Sequence, residues 1–176
     1  GGQWILGPAV QDLEERLATG DLNGDGKQDL VVSCLGAGQG ATAATRGSLV
    51  VLLGQGDGAF AAPVSSPLGT GISRPYWLRL GDLSGDGRLD AVVTGINGAL
   101  VVFEGNGDGT FNPGIPIGLK PDGRPLGLAL GDFDRDGRLD IACSLGKVFL
   151  NDGQFFAGTN AMTTNSVWQG RTGGFS

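Results

Sequence analysis

The stretch Gly20-Asp21-Leu22-Asn23-Gly24-Asp25-Gly26-Lys27-Gln28-Asp29-Leu30-Val31-Val32 is an acidic, glycine-punctuated run that ends in branched apolar residues. It returns as Gly81-Asp82-Leu83-Ser84-Gly85-Asp86-Gly87-Arg88-Leu89-Asp90-Ala91-Val92-Val93. It returns again as Gly131-Asp132-Phe133-Asp134-Arg135-Asp136-Gly137-Arg138-Leu139-Asp140-Ile141-Ala142-Cys143. The first aspartates of the three runs lie 61 and 50 residues apart. A repeat at such a period signals an array of one supersecondary unit.

A second signature follows each first one. It reads Val50-Val51-Leu52-Leu53-Gly54-Gln55-Gly56-Asp57-Gly58-Ala59-Phe60, then Val101-Val102-Phe103-Glu104-Gly105-Asn106-Gly107-Asp108-Gly109-Thr110-Phe111. A shortened copy is Val148-Phe149-Leu150-Asn151-Asp152-Gly153-Gln154-Phe155. Asp-Gly after a β-prone run is a tight-turn signal, because Gly accepts positive φ. Each unit therefore reads as four short strands. In the second unit they are A (Trp77–Leu80), B (Leu89–Thr94), C (Ala99–Glu104) and D (Asn112–Gly118).

Four antiparallel strands repeated at this interval match a β-propeller blade, so the expected fold is all-β. The division is 1–16 as a terminal strand, 17–68, 69–118 and 119–176 as three blade repeats, the last with a C-terminal segment. Gln11–Leu17 could be helical by itself but aligns with the approach to strand A. Leu35–Ser48 reads as a loop insertion in the first unit. Propellers have about 4–8 blades, so three units leave the ring incomplete. Trp4–Val10 resembles a stray strand D, and Thr159–Ser176 is a candidate for the last one. The expectation is that further blades or other copies complete the ring, with unpaired edge strands joining across chains.

Composition narrows the chemistry. Gly is 35 of 176 residues, which argues against a helical bundle because each interior Gly weakens a helix by about 1 kcal/mol. Histidine is absent, which removes imidazole-based acid–base catalysis, the Ser-His-Asp triad and imidazole zinc sites. Two cysteines, Cys34 and Cys143, cannot form a four-Cys zinc site; lying in non-adjacent units, they are expected as buried free thiols. The net charge of −6 disfavours nucleic acid and anionic lipid. No apolar run nears the roughly 20 residues of a membrane span. The opening Gly1-Gly2 fits a leader that is removed or lies outside this stretch.

The acidic loops carry the chemistry. Side-chain oxygens at positions 1, 3 and 5 surround one point, Gly at position 6 turns the chain, position 7 offers a carbonyl, and Asp at position 9 closes the shell. The expected ligands are Asp21, Asn23, Asp25, Lys27 (carbonyl) and Asp29 in the first loop. They are Asp82, Ser84, Asp86, Arg88 (carbonyl) and Asp90 in the second. They are Asp132, Asp134, Asp136, Arg138 (carbonyl) and Asp140 in the third. An all-oxygen set suits Ca²⁺, which takes 6–8 oxygens at about 2.3–2.6 Å; Mg²⁺ demands a stricter octahedron. Positions 12 are Val32, Val93 and Cys143 rather than Glu, and a strand follows, so the loop is not an EF-hand. The loops hold ten acidic side chains, and three Ca²⁺ ions would balance the chain's −6. Ser84 makes the second site the expected weakest.

With these residues on the page, the units resemble FG-GAP/VCBS-type repeats, the calcium-binding blades of integrin α-like propellers, over roughly residues 11–156. The resemblance implies Ca²⁺ between strands A and B, and ligand contacts on the opposite face. It also implies an extracellular or cell-surface setting, where Ca²⁺ is abundant.

Other residues admit two readings each. Tyr76 and Trp77, with Arg74 and its counterpart Arg124, could bind a glycan or an acidic partner; Trp77 could instead pack between blades. Trp4 and Trp168 read as anchors of an interface or core, and Phe60, Phe111 and Phe155 as packing residues at one repeat position. The leading functional expectation is adhesion or ligand binding, to a glycan or protein, without catalysis. A structural subunit of a self-assembling surface layer and an accessory domain of a secreted enzyme are the alternatives.

Overall fold

A computed structural model of the chain describes residues 16–35, 47–69, 72, 75–117, 127–143 and 147–153. The described residues are all-β, with three antiparallel sheets of four, four and three strands in which the ring is not closed. The first sheet runs β1 (Leu17–Gly20), β2 (Asp29–Leu35), β3 (Gly47–Leu52) and β4 (Val64–Pro67). The second runs β5 (Pro75–Gly81), β6 (Asp90–Gly95), β7 (Leu100–Phe103) and β8 (Ile115–Pro116). The third holds β9 (Leu128–Gly131), β10 (Asp140–Cys143) and β11 (Lys147–Phe149). Neighbours in sequence are neighbours in space, because the acidic loop and the Gly-Asp-Gly turn are both short enough for antiparallel return.

The register repeats. Val31 faces Val51, and Val92 faces Val102, in the two complete sheets. In the third, Ala142 faces Val148. Alternate residues on a strand point to opposite faces. Thus Leu22, Val31, Leu49 and Val51 of the first sheet meet Leu78, Val93, Val101 and Phe103 of the second in one core. Val92, Leu100 and Val102 leave the other face of the second sheet and meet Leu128, Ile141 and Phe149 of the third. Covered on both sides, β6 is buried along its whole length.

The first strands of the sheets gather: β5 lies against β1 on one side and β9 on the other. Glycine at the end of each first strand makes room for the next sheet. A Cβ on Gly20 would come within 2.5 Å of Leu89 Cδ1, and one on Gly81 within 2.8 Å of Leu130 Cδ1.

Some expectations need revision. Phe60 is 45% exposed, whereas its counterpart Phe111 is buried, because the first sheet covers only the second's Phe. Both cysteines are free; Cys143 is buried but Cys34 is only half-buried. Gly36–Arg46 of the insertion, Trp4–Val10, most of Gln11–Leu17, Phe155, Trp168 and Thr159–Ser176 lie outside the described residues.

Candidate metal centre

Each acidic loop links the first two strands of a sheet and is tied by its own side chains. Position 1 does most of the tying. Asp21 Oδ1 accepts from the amides of Gly24 (2.8 Å) and Asp25 (3.2 Å), and Oδ2 from Gly26 (2.8 Å). Asp82 repeats this with Gly85, Asp86 and Gly87, and Asp132 with Asp136 and Gly137. At position 3, Asn23, Ser84 and Asp134 accept from the amide of position 5. At position 5, Asp25, Asp86 and Asp136 each accept from the amide of position 7 at 2.9 Å. These nested turns fix the side-chain oxygens before any ligand arrives. Gly26, Gly87 and Gly137 sit at φ near 80–88°, which the sharp turn requires.

The third loop brings its carboxylates closest. Asp132, Asp134 and Asp136 offer oxygens that all lie within 4.8 Å of one another, the one such acidic group of three among the described residues. All three are exposed. The first and second loops carry Asn23 and Ser84 where the third has Asp134, so each offers two carboxylates at positions 1, 3 and 5.

The position-9 aspartates do something else. Asp29 is fully buried; Oδ2 accepts from the Leu22 amide (2.8 Å) and Oδ1 from the Gly54 amide (2.7 Å). Asp90 binds the amides of Leu83, Ser84 and Gly105, and Asp140 those of Phe133 and Asn151. The expectation that Asp29, Asp90 and Asp140 close the ligand shell is therefore corrected: they clasp the acidic loop to the end of the third strand. Backbone amides are strong partners for a buried carboxylate, and this use satisfies donors that would otherwise be orphaned. Burial pushes Asp90 above its ordinary value, against the pull of its three amides.

Position 7 also differs from expectation, through its side chain. Lys27 Nζ lies 3.2 Å from Asp25 Oδ2, Arg88 3.4 Å from Asp86 Oδ2, and Arg138 pairs with Asp136. The signal was present as a cation two residues after an acid in all three loops. The amide and cation of position 7 hold Asp25 and Asp86 below the ordinary carboxylate range.

The third repeat departs in one more way. Gly54 and Gly105 pass so close to the preceding strand that a Cβ would sit 2.1 Å from the carbonyl oxygens of Gln28 and Leu89. Asn151 occupies the matching place. Its Nδ2 donates to that neighbouring carbonyl, on Leu139 (3.1 Å), and to Leu83 of the second repeat (2.7 Å). At the junction of repeats 1 and 2, the Gly109 amide donates to Leu22 instead.

The suggested ligand-binding cluster is only partly described. Arg74 and Arg124 lie outside the described residues. Tyr76 and Trp77 are half-buried with ring centroids 6.1 Å apart. Trp77 packs on the core between the second and third sheets, and its ring carries the Arg79 guanidinium at 5.3 Å. Arg79 was legible as a partner, since residues two apart share a strand face. Burial pushes the Cys34 thiol above its ordinary value, which makes it a poor nucleophile.

An antiparallel all-β array whose first hairpin loops are acidic and mutually alike is a β-propeller-like repeat protein. A family model described as FG-GAP-like repeat matches residues 21–93 and again 82–143, and the chain belongs to that family. Comparison with curated proteins gives no match to the chain. Among the described residues no helix is long and apolar enough to cross a membrane.

Proposed function

We propose that this chain is a calcium-binding propeller module that serves adhesion or ligand binding, to a glycan or a protein, outside the cell. Ca²⁺ has a structural role in this reading, and no catalysis is assigned. The observation that carries it is the convergence of Asp132, Asp134 and Asp136 within 4.8 Å. FG-GAP repeats commonly bind Ca²⁺ and are typical of extracellular proteins.

The donor set fits the ion. Every side-chain donor at positions 1, 3 and 5 is an oxygen, and the chain holds no histidine to recruit a softer metal. Asp132, Asp134, Asp136 and the Arg138 carbonyl would hold the third ion. Asp21, Asn23, Asp25 and the Lys27 carbonyl would hold the first. Asp82, Ser84, Asp86 and the Arg88 carbonyl would hold the second. The ion competes with the position-7 ion pairs, which are exposed and worth only about 0–1 kcal/mol each. Charge count tunes affinity in such loops, so the third site is expected to be tightest and the second, with Ser84, weakest.

Calorimetric titration with Ca²⁺ tests the reading. Three sites of unequal affinity and a melting temperature that rises with free Ca²⁺ are expected. Asp134→Asn should weaken the tightest site about tenfold or more, a loss of roughly 1.4 kcal/mol. No binding heat at millimolar Ca²⁺, together with a melting curve unmoved by EDTA, would defeat it.

A further inference from the structure

The two ends of the array carry the two halves of its own internal junction. At the junction of repeats 1 and 2, Leu78 and Phe111 of the second repeat share a buried core with Leu22 of the first. At the next junction, Leu128 shares a core with Leu83. The residues that align with these at the two ends are uncovered. Leu17 takes the place of Leu78 and is 51% exposed; Phe60 takes the place of Phe111. Phe133 takes the place of Leu22 and Leu83 and is 51% exposed, where they are buried.

The strands behind them follow suit. Leu30, Val32, Val50 and Leu52 lie on the outer face of the first sheet and are half-buried, whereas the aligned Ala91, Val93, Val101 and Phe103 are buried. Ala142 and Val148 on the outer face of the third sheet are half-buried, whereas the aligned Val92 and Val102 are buried. Isolated exposed apolar residues are ordinary, but two faces that each reproduce one side of a known interface are not.

The contact residues also complement one another in size. The hollow over Gly20 is filled by Leu80 and Leu89 of the next repeat, and that over Gly81 by Leu130 and Leu139. Over Gly131 lies the ring of Phe133 itself, 3.3 Å from where a Cβ would stand. On the outer face of repeat 1 the positions of those leucine pairs hold Thr19 and Gln28. A larger residue on one end thus faces smaller or polar ones on the other, a volume-conserving exchange of the kind cores tolerate.

We propose that the outer face of repeat 1 docks on the outer face of repeat 3 of a second copy of this chain. Both junctions form at once when two copies pair, and two sets of three blades make a six-bladed ring. Heterologous contacts close into a ring when the rotation permits, and six lies within the range of known propellers. This differs from pairing of edge strands, since sheet faces rather than strand edges meet. The inference rests on the repeat register and its packing, and stands apart from the calcium reading.

Sedimentation of the full chain in calcium-containing buffer tests it. The unmodified chain should run at twice the single-chain mass. Ala142→Arg and Leu17→Arg each place a charge on one face, away from the acidic loops, and each variant alone should run at the single-chain mass with unchanged circular dichroism. An equal mixture of the two should recover the two-chain particle, because each supplies the face that the other has lost. A single-chain mass for the unmodified chain, either variant remaining paired, or a mixture that stays single would overturn the proposal.

Discussion

Asp90 shows how one repeated residue can look like one thing and act as another. It ends a run of regularly spaced oxygens, so spacing alone groups it with the ligands. Its side chain instead turns inward to three backbone amides. Asp90→Ala should cost about 3 kcal/mol in denaturant melts, because those amides lose their acceptor inside the fold. Asp108 is a contrasting case at the surface. The Thr110 hydroxyl and then its amide donate to the carboxylate and hold it below the ordinary range. A depressed folded value means that the ionised form supports the fold above the unfolded pKa, and that this support fades as pH falls through the folded pKa. Thr110→Val should move the Asp108 titration, followed by NMR, upward toward the ordinary value. A titration that does not move would show that the hydroxyl has no influence.

The acidic loop as an element is a set of nested turns that needs two left-handed residues. In the first two copies both are glycine, as at Gly24 and Gly26 or Gly85 and Gly87. The third copy places Arg135 at φ 67°, where a side chain is strained. Arg135→Gly should raise stability by about 0.5–1 kcal/mol, the relief of left-handed strain less the added freedom of the unfolded chain. A loss of stability would mean that the Arg135 side chain makes a contact worth more than that strain. Strands were legible to within one to three residues at most ends, because their limits are marked by turn chemistry. Strand D of the second unit was overread: Asn112–Gly118 shrinks to a ladder at Ile115–Pro116. Proline donates no amide to a ladder, and Pro113 and Pro116 both fall in that span.

For the molecule as a whole, stability lies in the junctions between sheets. As in other repeat arrays, each unit buries its faces only through its neighbours. Gly81→Val should therefore cost about 2 kcal/mol by forcing Leu130 and Leu139 out of the hollow they fill. Gly131→Ala should cost much less, because the Phe133 ring over it is half exposed and can swing aside. Equal costs at the two glycines, measured by thermal melts, would show that the junction does not set the difference.

The repeats, their strands, their turns and the oxygen-rich loops were all written in local order. Each depends on residues a few places apart, and backbone geometry does the rest. The direction of Asp29, Asp90 and Asp140, the inter-repeat bond of Asn151, the exposure of Phe60 and the pairing of Trp77 with Arg79 arose only on folding. They depend on which sheet comes to lie beside which, and burial by a neighbour distant in the chain leaves no periodic trace in the order of residues.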